Sequence, residues 1–295
     1  MGANLSRVCE GDEGRNPGAT YPGLADIPEN CIAGIFRHLS PLDICKLARL
    51  SRAFKGAAAC DLVWDQKLPV CYQEMLSIAA APKGLPKKEI YARLCKPISL
   101  DDNTKEIWVD KATGGVCLAV SARAMTITGI DDHRYWRWIP SEESRFGEIA
   151  YLQQLWWFEV DGIVKFQLPA GEYSLSFRLR LGRSSRKLGR RIYVYDQIHG
   201  WDLKPVQFSL FTSDGQHVTR SCFLEEPGED GPVNQARGKW MDYHVGDFVV
   251  ENENKATEVK FSMTQIDCTH SKGGLCLDSV SIVPSKLRKE TMICK

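Results

Sequence analysis

Two kinds of residue in this chain could do chemistry: tryptophans, of which there are eight, and carboxylates. A pyranose ring offers an apolar C–H face that packs on an aromatic ring, and its hydroxyls need fixed polar partners. An exposed Trp beside a carboxylate or amide can therefore bind sugar. Arg134-Tyr135-Trp136-Arg137-Trp138 is a run of this type. Period two places Trp136 and Trp138 on one face of a strand and Tyr135 on the other. Sugar binding and core packing are both open to Trp136. Trp156, Trp157 and Phe158 are expected in the core, because a domain with this many Trp residues must bury most of them. Catalytic patterns are missing: there is no G-x-x-x-x-G-K-[ST], no G-x-S-x-G and no C-x-x-C. The six His residues do not pair at metal-ligand spacing, and Cys268-Thr269-His270 supplies too few ligands for a structural zinc. Glu142-Glu143 and Glu225-Glu226 lie in polar, loop-like stretches, with nothing to hold them across a substrate. We therefore expect no catalytic residue, no cofactor and no metal.

The elements that must position these residues fall into two blocks. Residues 1–22 hold Gly2, Gly11, Gly14, Pro17, Gly18 and Pro22 with few large apolar side chains, and read as a flexible tail. Residues 23–69 are helical in pattern, and a helical linker is expected over 70–100. Asp26-Ile27-Pro28-Glu29 offers a capping Asp, and Cys31, Ile32, Ile35, Phe36 and Leu39 then fall on one helix face. Ser40-Pro41-Leu42-Asp43 opens a second helix with a capping Ser and an early Pro. A third runs from Ser51, and Asp61 is the expected cap of a fourth, containing Trp64. Four short helices cannot bury all their apolar faces among themselves, so a partner or the next domain must cover some of that surface.

Near Lys96-Pro97 the periodicity switches to two. Tyr173, Leu175, Phe177, Leu179 and Leu181 alternate with Ser174, Ser176, Arg178 and Arg180, which predicts a strand with one wet face. Val206, Phe208 and Leu210 lead through Ser213-Asp214-Gly215 into His217-Val218-Thr219, a hairpin. Val259, Phe261 and Met263 mark another strand, and more are expected near 105–109, 115–120, 154–160, 240–250 and 274–283. About ten short strands with no long helix predict an antiparallel sandwich over 101–284, followed by a tail at 285–295. The fold class is thus a small all-α unit followed by an all-β sandwich.

Formal net charge is +1, so no global field draws the molecule to nucleic acid or membrane. The basic stretch from Arg178 to Arg191 reads as a solvated strand face and loop, with an acidic partner or nuclear signal as the other reading. Eleven cysteines, an odd number without regular spacing, read as reduced and mostly buried thiols; Cys31, Cys45, Cys117 and Cys276 sit at apolar positions. Met1-Gly2-Ala3-Asn4-Leu5-Ser6 fits the N-myristoylation pattern at Gly2, with Cys9 available for a palmitate; the other reading is a chance match in a tail. One acyl chain gives only weak, reversible membrane attachment. The expected location is cytoplasmic or nuclear, with peripheral membrane attachment if Gly2 is acylated.

Leu24-Ala25-Asp26-Ile27-Pro28-Glu29, Leu39-Ser40-Pro41-Leu42-Asp43, Phe54 and Val63-Trp64 together resemble the F-box. In that family the motif docks on a Skp-type adaptor, which links to a cullin–RING ligase. The resemblance implies that Leu24, Ile27, Pro28, Ile32, Leu39, Pro41, Leu42, Leu47 and Trp64 form the docking surface or its support.

The second block also resembles a family. Thr104-Lys105-Glu106-Ile107-Trp108, Ile127-Thr128-Gly129, Arg134 to Trp138, Trp156-Trp157-Phe158-Glu159-Val160 and Lys272-Gly273-Gly274-Leu275 follow the phloem lectins and Nictaba-like lectins of plants. That family implies a jelly-roll-like sandwich that binds N-acetylglucosamine oligomers or N-glycan cores. Of the two Trp residues in its binding segment the second matches Trp136, the first falls on Gly129, and the acidic residue near the last strand is approximated by Asp278. The implied carbohydrate site is Trp136, Tyr135 and Asp278. Three functions follow: a ligase substrate receptor for a glycoprotein or protein, an intracellular defence lectin without ligase role, and, with least support, a carbohydrate-active enzyme. No nucleic-acid partner is expected.

Overall fold

The computed structural model describes residues 27–187, 190–194, 197–225 and 237–288. Leu24, Gly2, Cys9 and the tail at 1–22 lie outside the described residues, as do Asp26 and Glu226.

Six short helices come first: α1 Glu29–Phe36, α2 Pro41–Leu47, α3 Arg52–Ala57, α4 Asp61–Asp65, α5 Tyr72–Ile78 and α6 Lys87–Leu94. Ser40 caps α2, its Oγ accepting from the Asp43 amide at 3.2 Å while its hydroxyl donates to Asp43 Oδ2 at 2.7 Å. Ser51 caps α3 in the same way, accepting from the Phe54 amide at 3.1 Å. Asp61 is not a cap. It is the first residue of α4, and its Oδ1 accepts from the Lys87 amide at 2.8 Å, tying α4 to the start of α6.

Fifteen strands follow among the described residues, half as many again as expected. They are β1 Ile98–Leu100, β2 Lys105–Val109, β3 Val116–Ser121, β4 Thr126–Ile127, β5 Trp136–Pro140, β6 Glu148–Leu152, β7 Phe158–Phe166 and β8 Gly171–Leu181. Then come β9 Arg183–Lys187, β10 Arg190–Val194, β11 Val206–Thr212, β12 His217–Cys222, β13 Met241–Val250, β14 Thr257–Gln265 and β15 Leu275–Pro284. All pair antiparallel. One sheet runs β12-β11-β14-β7-β4. The other centres on β15, which pairs β8 along one edge. Along its other edge it pairs β6 with Leu275–Leu277 and β3 with Ser279–Ile282. β13 extends this sheet beyond β8, β5 beyond β6, and β2 and β1 beyond β3. β9 and β10 form a separate two-stranded ribbon.

The two sheets face each other across Phe177, Phe208, Phe261, Leu210, Val280 and their neighbours, all buried. The core does not stop at the sandwich. Trp64 of α4 packs tilted against Tyr91 of α6 with ring centroids 5.2 Å apart, and the Tyr91 hydroxyl donates to the Asp110 carbonyl at 3.2 Å, just past β2. One continuous apolar cluster runs from Ile32 in α1 to Ile282 in β15.

The expected wet face of β8 is covered. Ser174, Ser176 and Arg180 are buried: the segment between β5 and β6 lies over Arg180, and the Ser174 hydroxyl donates to Asp247 of β13 and meets Ser285 past β15. Glu143 from that segment accepts from Arg180 Nη1 at 2.6 Å and from Trp240 Nε1 at 3.1 Å. A guanidinium left unpaired at this depth would be costly, so the segment is held by charge as well as packing. Cys117 and Cys276 are buried thiols as expected, whereas Cys31 and Cys45 are exposed.

At the open edge of the sandwich, polar groups replace apolar packing. His244 on β13 lies 3.0 Å from Asp247 Oδ1, 3.2 Å from Arg220 Nη1 of the opposite sheet and 2.9 Å from Arg288 Nη1. Gln216, just before β12, closes the same edge: its side-chain amide donates to the Val249 carbonyl at 2.7 Å and accepts from the Val249 amide at 2.8 Å. Burial, with Arg288 and Arg220 nearby, outweighs Asp247 and holds the imidazole below its ordinary value. The unfolded chain then binds more protons than the fold in this range. The His244 contribution is complete above about pH 6.5 and is lost as pH falls through the folded value. The melting temperature should drop between pH 7 and 5, and His244→Gln should flatten that slope; an equal slope in the variant would assign it elsewhere.

Candidate adaptor-docking face and ligand platform

Helices α1, α2 and α4 each bury one side and leave a large apolar side chain on the other. Ile32, Ala33 and Phe36 of α1, Pro41 and Ile44 of α2 and Val63 and Trp64 of α4 are buried. The Trp64 indole donates to the Ala58 carbonyl at 2.8 Å, and Phe36 meets Phe54 edge-on at 5.7 Å. Exposed on the outside are Ile35 (55%), Leu42 (48%), Leu50 (69%) and Leu62 (68%).

The anticipated docking residues therefore divide. Pro28 and Leu42 are exposed, Ile27, Leu39 and Leu47 are half-buried, and Ile32, Pro41 and Trp64 are buried inside the module. Ile35, Leu50 and Leu62 complete the outer surface. Ile35 was expected inward; α1 ends at Phe36, and a helix of two turns presents too narrow a buried stripe to include it.

In the sandwich, the residues anticipated for sugar are not brought together. Trp136 is 1% exposed. Its indole donates to the Thr128 carbonyl at 3.0 Å, and it stacks at 6.3 Å on Phe158, which meets Trp201 at 5.2 Å. Trp136 is a core residue, with no open ring face for a pyranose. Asp278 is equally buried and lies on the other side of its sheet, at the irregularity where β15 changes register with β8. Ser144 donates to it at 2.5 Å and Arg178 Nε lies 3.1 Å away. Burial pushes its carboxyl up from the ordinary value. Asp278 thus anchors the covering segment and does not reach a ligand. Tyr135 is half-buried, with the Arg134 guanidinium 5.4 Å from its ring.

The Gly129 departure has a local cause. Its φ is +75°, and a Cβ there would stand 3.1 Å from Tyr135 Cδ2. A Trp at this position would need both a strained backbone and a displaced tyrosine.

The exposed tryptophans are the pair expected inside. Trp156 is 50% and Trp157 46% exposed. The Trp157 indole donates to Glu159 Oε2 at 3.0 Å, so an open ring stands beside a carboxylate. The signal was present in the alternation: Phe158 and Val160 point inward, so Trp157 and Glu159 share the outer face.

The loop before β7 is tied down from beneath. Leu155 and Lys272 exchange two backbone hydrogen bonds at 2.8 Å. The Lys272 ammonium is fully buried and donates to the carbonyls of Trp156 and Asp267. Gly274 makes the return possible, with φ +77° and an added Cβ only 2.7 Å from Ile198 Cα. Gly274→Ala should therefore cost about 1–3 kcal/mol in a denaturant titration. It should also blue-shift or quench the tryptophan emission. An unchanged midpoint would remove this constraint.

A family model described as F-box domain matches residues 24–65, and one described as Phloem protein 2 matches residues 115–284. F-box protein PP2-A15 of Arabidopsis thaliana is 53% identical over 287 residues, covering 96% of this chain and 95% of that protein. F-box protein PP2-A12 of the same plant is 51% identical, covering 97% and 94%. With exposed aliphatic side chains on the helices and the second domain folded as an antiparallel sandwich, the chain belongs to the family of F-box proteins that carry a phloem protein 2 domain.

Proposed function

We propose that this chain is the target-binding subunit of a Skp–cullin–F-box ubiquitin ligase. The helical module recruits the Skp-type adaptor and through it the cullin and RING subunits, and the sandwich holds a glycoprotein or protein target. The observation that carries this reading is the set of exposed Ile35, Leu42, Leu50 and Leu62 within a segment that matches the F-box. Large aliphatic side chains left on the solvent side of small helices are the anchors a docking interface needs. Ubiquitin transfer belongs to the other subunits; this chain supplies proximity and orientation. At the target end, Trp157 beside Glu159 is the sugar-contacting pair, and N-acetylglucosamine oligomers or N-glycan cores are the glycans of choice.

The test has two arms. The full chain, co-expressed with a Skp-type adaptor, is expected to co-purify as a stoichiometric complex; separate elution of two folded proteins overturns the ligase reading. The complex is then titrated with chitotriose and an N-glycan core while Trp fluorescence is followed. Saturable quenching that Trp157→Ala removes supports the glycan reading, and no response makes the sandwich a protein-binding module.

A further inference from the structure

The outer face of the sheet β12-β11-β14-β7-β4 carries no covering element among the described residues, and its side chains form rows across the strands. Register pairs His217 with Phe211, Phe211 with Lys260, and Lys260 with Ile163. The next row is Thr219, Ser209, Ser262, Asp161 and Thr126. A cleft of about 440 Å³ opens over this region, lined by Thr126, Asp161, Ile163, Phe211, Lys260 and Ser262.

The cleft combines what a sugar ring needs. Phe211 is 46% exposed and braced by His217, whose ring stacks on it at 4.0 Å and 9°. Ile163, at 46% exposed, forms an apolar lip in the same row. Asp161 lies in the next row between the hydroxyls of Thr126 and Ser262. Partial desolvation by the sheet face and nearby Glu159 raise its carboxyl above the ordinary value. A free carboxylate accepts from two vicinal hydroxyls, Ser and Thr both donate and accept, and Lys260 donates to a ring or hydroxyl oxygen. The volume suits one or two pyranose rings, being within the usual range for small-ligand sites.

We infer that this cleft is a second saccharide site, distinct from the Trp157 platform, taking a neutral hexose oligosaccharide with one ring on Phe211 and vicinal hydroxyls on Asp161. Asp161 would repel the carboxylate of an acidic sugar placed on it, so the vicinal hydroxyls of a neutral ring suit that end of the cleft.

The test uses the full chain and the probes galactotriose, cellotriose and mannotriose, with isothermal titration as the readout. At least one probe should bind saturably. Asp161→Asn and Phe211→Ala should each weaken it at least tenfold, and Trp157→Ala should change it less than twofold. Both residues are on the surface, so melting temperatures and adaptor co-purification should stay at wild-type values, which separates this outcome from failure of the ligase reading. No binding of any probe by the folded chain, or loss confined to Trp157→Ala, overturns the proposal. Protection of the cleft by a captured protein without sugar binding also overturns it, making the face a protein interface.

Discussion

Ile35→Asp combined with Leu42→Asp is expected to abolish adaptor binding while leaving the chain folded. Both side chains are about half exposed, at 55% and 48%, so the fold buries little by them and stability should move by about 0.5 kcal/mol at most for each. In a complex they become buried anchors. Truncating an anchor costs about 2 kcal/mol or more, roughly 30-fold in affinity, and burying a carboxylate against an apolar partner adds to that. Surface plasmon resonance against an immobilised Skp-type adaptor reads the effect directly. Trp64→Ala should also lose binding, but by another route: its indole holds the Ala58 carbonyl from the core, so circular dichroism should show the helices melting with it. If the double variant binds like wild type, the docking surface lies elsewhere on the module.

The second large effect separates the two tryptophan classes in the sandwich. Trp136→Ala removes a buried ring that stacks on Phe158 and donates to Thr128. Such truncations cost about 3–5 kcal/mol, which in a domain of this size lowers the melting temperature by on the order of 10 °C. Trp157→Ala removes a half-exposed ring and should leave the melting temperature within a degree or two. Calorimetry on the two variants decides between core and surface roles. A stable Trp136→Ala chain that has lost sugar binding would reverse the assignment made here.

Much of this was legible in the residues. Ser40-Pro41-Leu42-Asp43 specified α2, because capping and an early proline act over four residues and need no tertiary context. The alternations at Tyr173–Leu181, Val206–Leu210 and Val259–Met263 gave β8, β11 and β14, since each strand's inner row carries its own apolar signal. What failed depended on contacts distant in sequence. Ser174, Ser176 and Arg180 look like a wet face until Glu143, 37 residues upstream, meets Arg180, and Asp247, 73 residues downstream, meets Ser174. Trp156 and Trp157 look like core by residue type; the alternation with Phe158 and Val160 turns Trp157 outward, and the bridge between Leu155 and Lys272 fixes that segment. Asp278 resembles a ligand-binding acid by position, yet a register shift in β15 sends it to Arg178 and Ser144. Local pattern determines which residues share a face; it does not reveal which distant segment will cover that face.

The unbroken core from α1 through Trp64 and Tyr91 into β2 and β15 makes the molecule a ruler rather than a tether. A flexible connection would let a captured target wander over a wide volume, exposing many of its lysines to the transferring enzyme in turn. With the helices and the sandwich sharing one interior, the distance and angle between an adaptor on the helices and a target on the sandwich, in the ligase proposed above, would be set by packing. Ubiquitin should then be attached to a narrow band of target lysines, defined by reach, and a Gly-Ser insertion near Pro97 should broaden that band without weakening binding at either end.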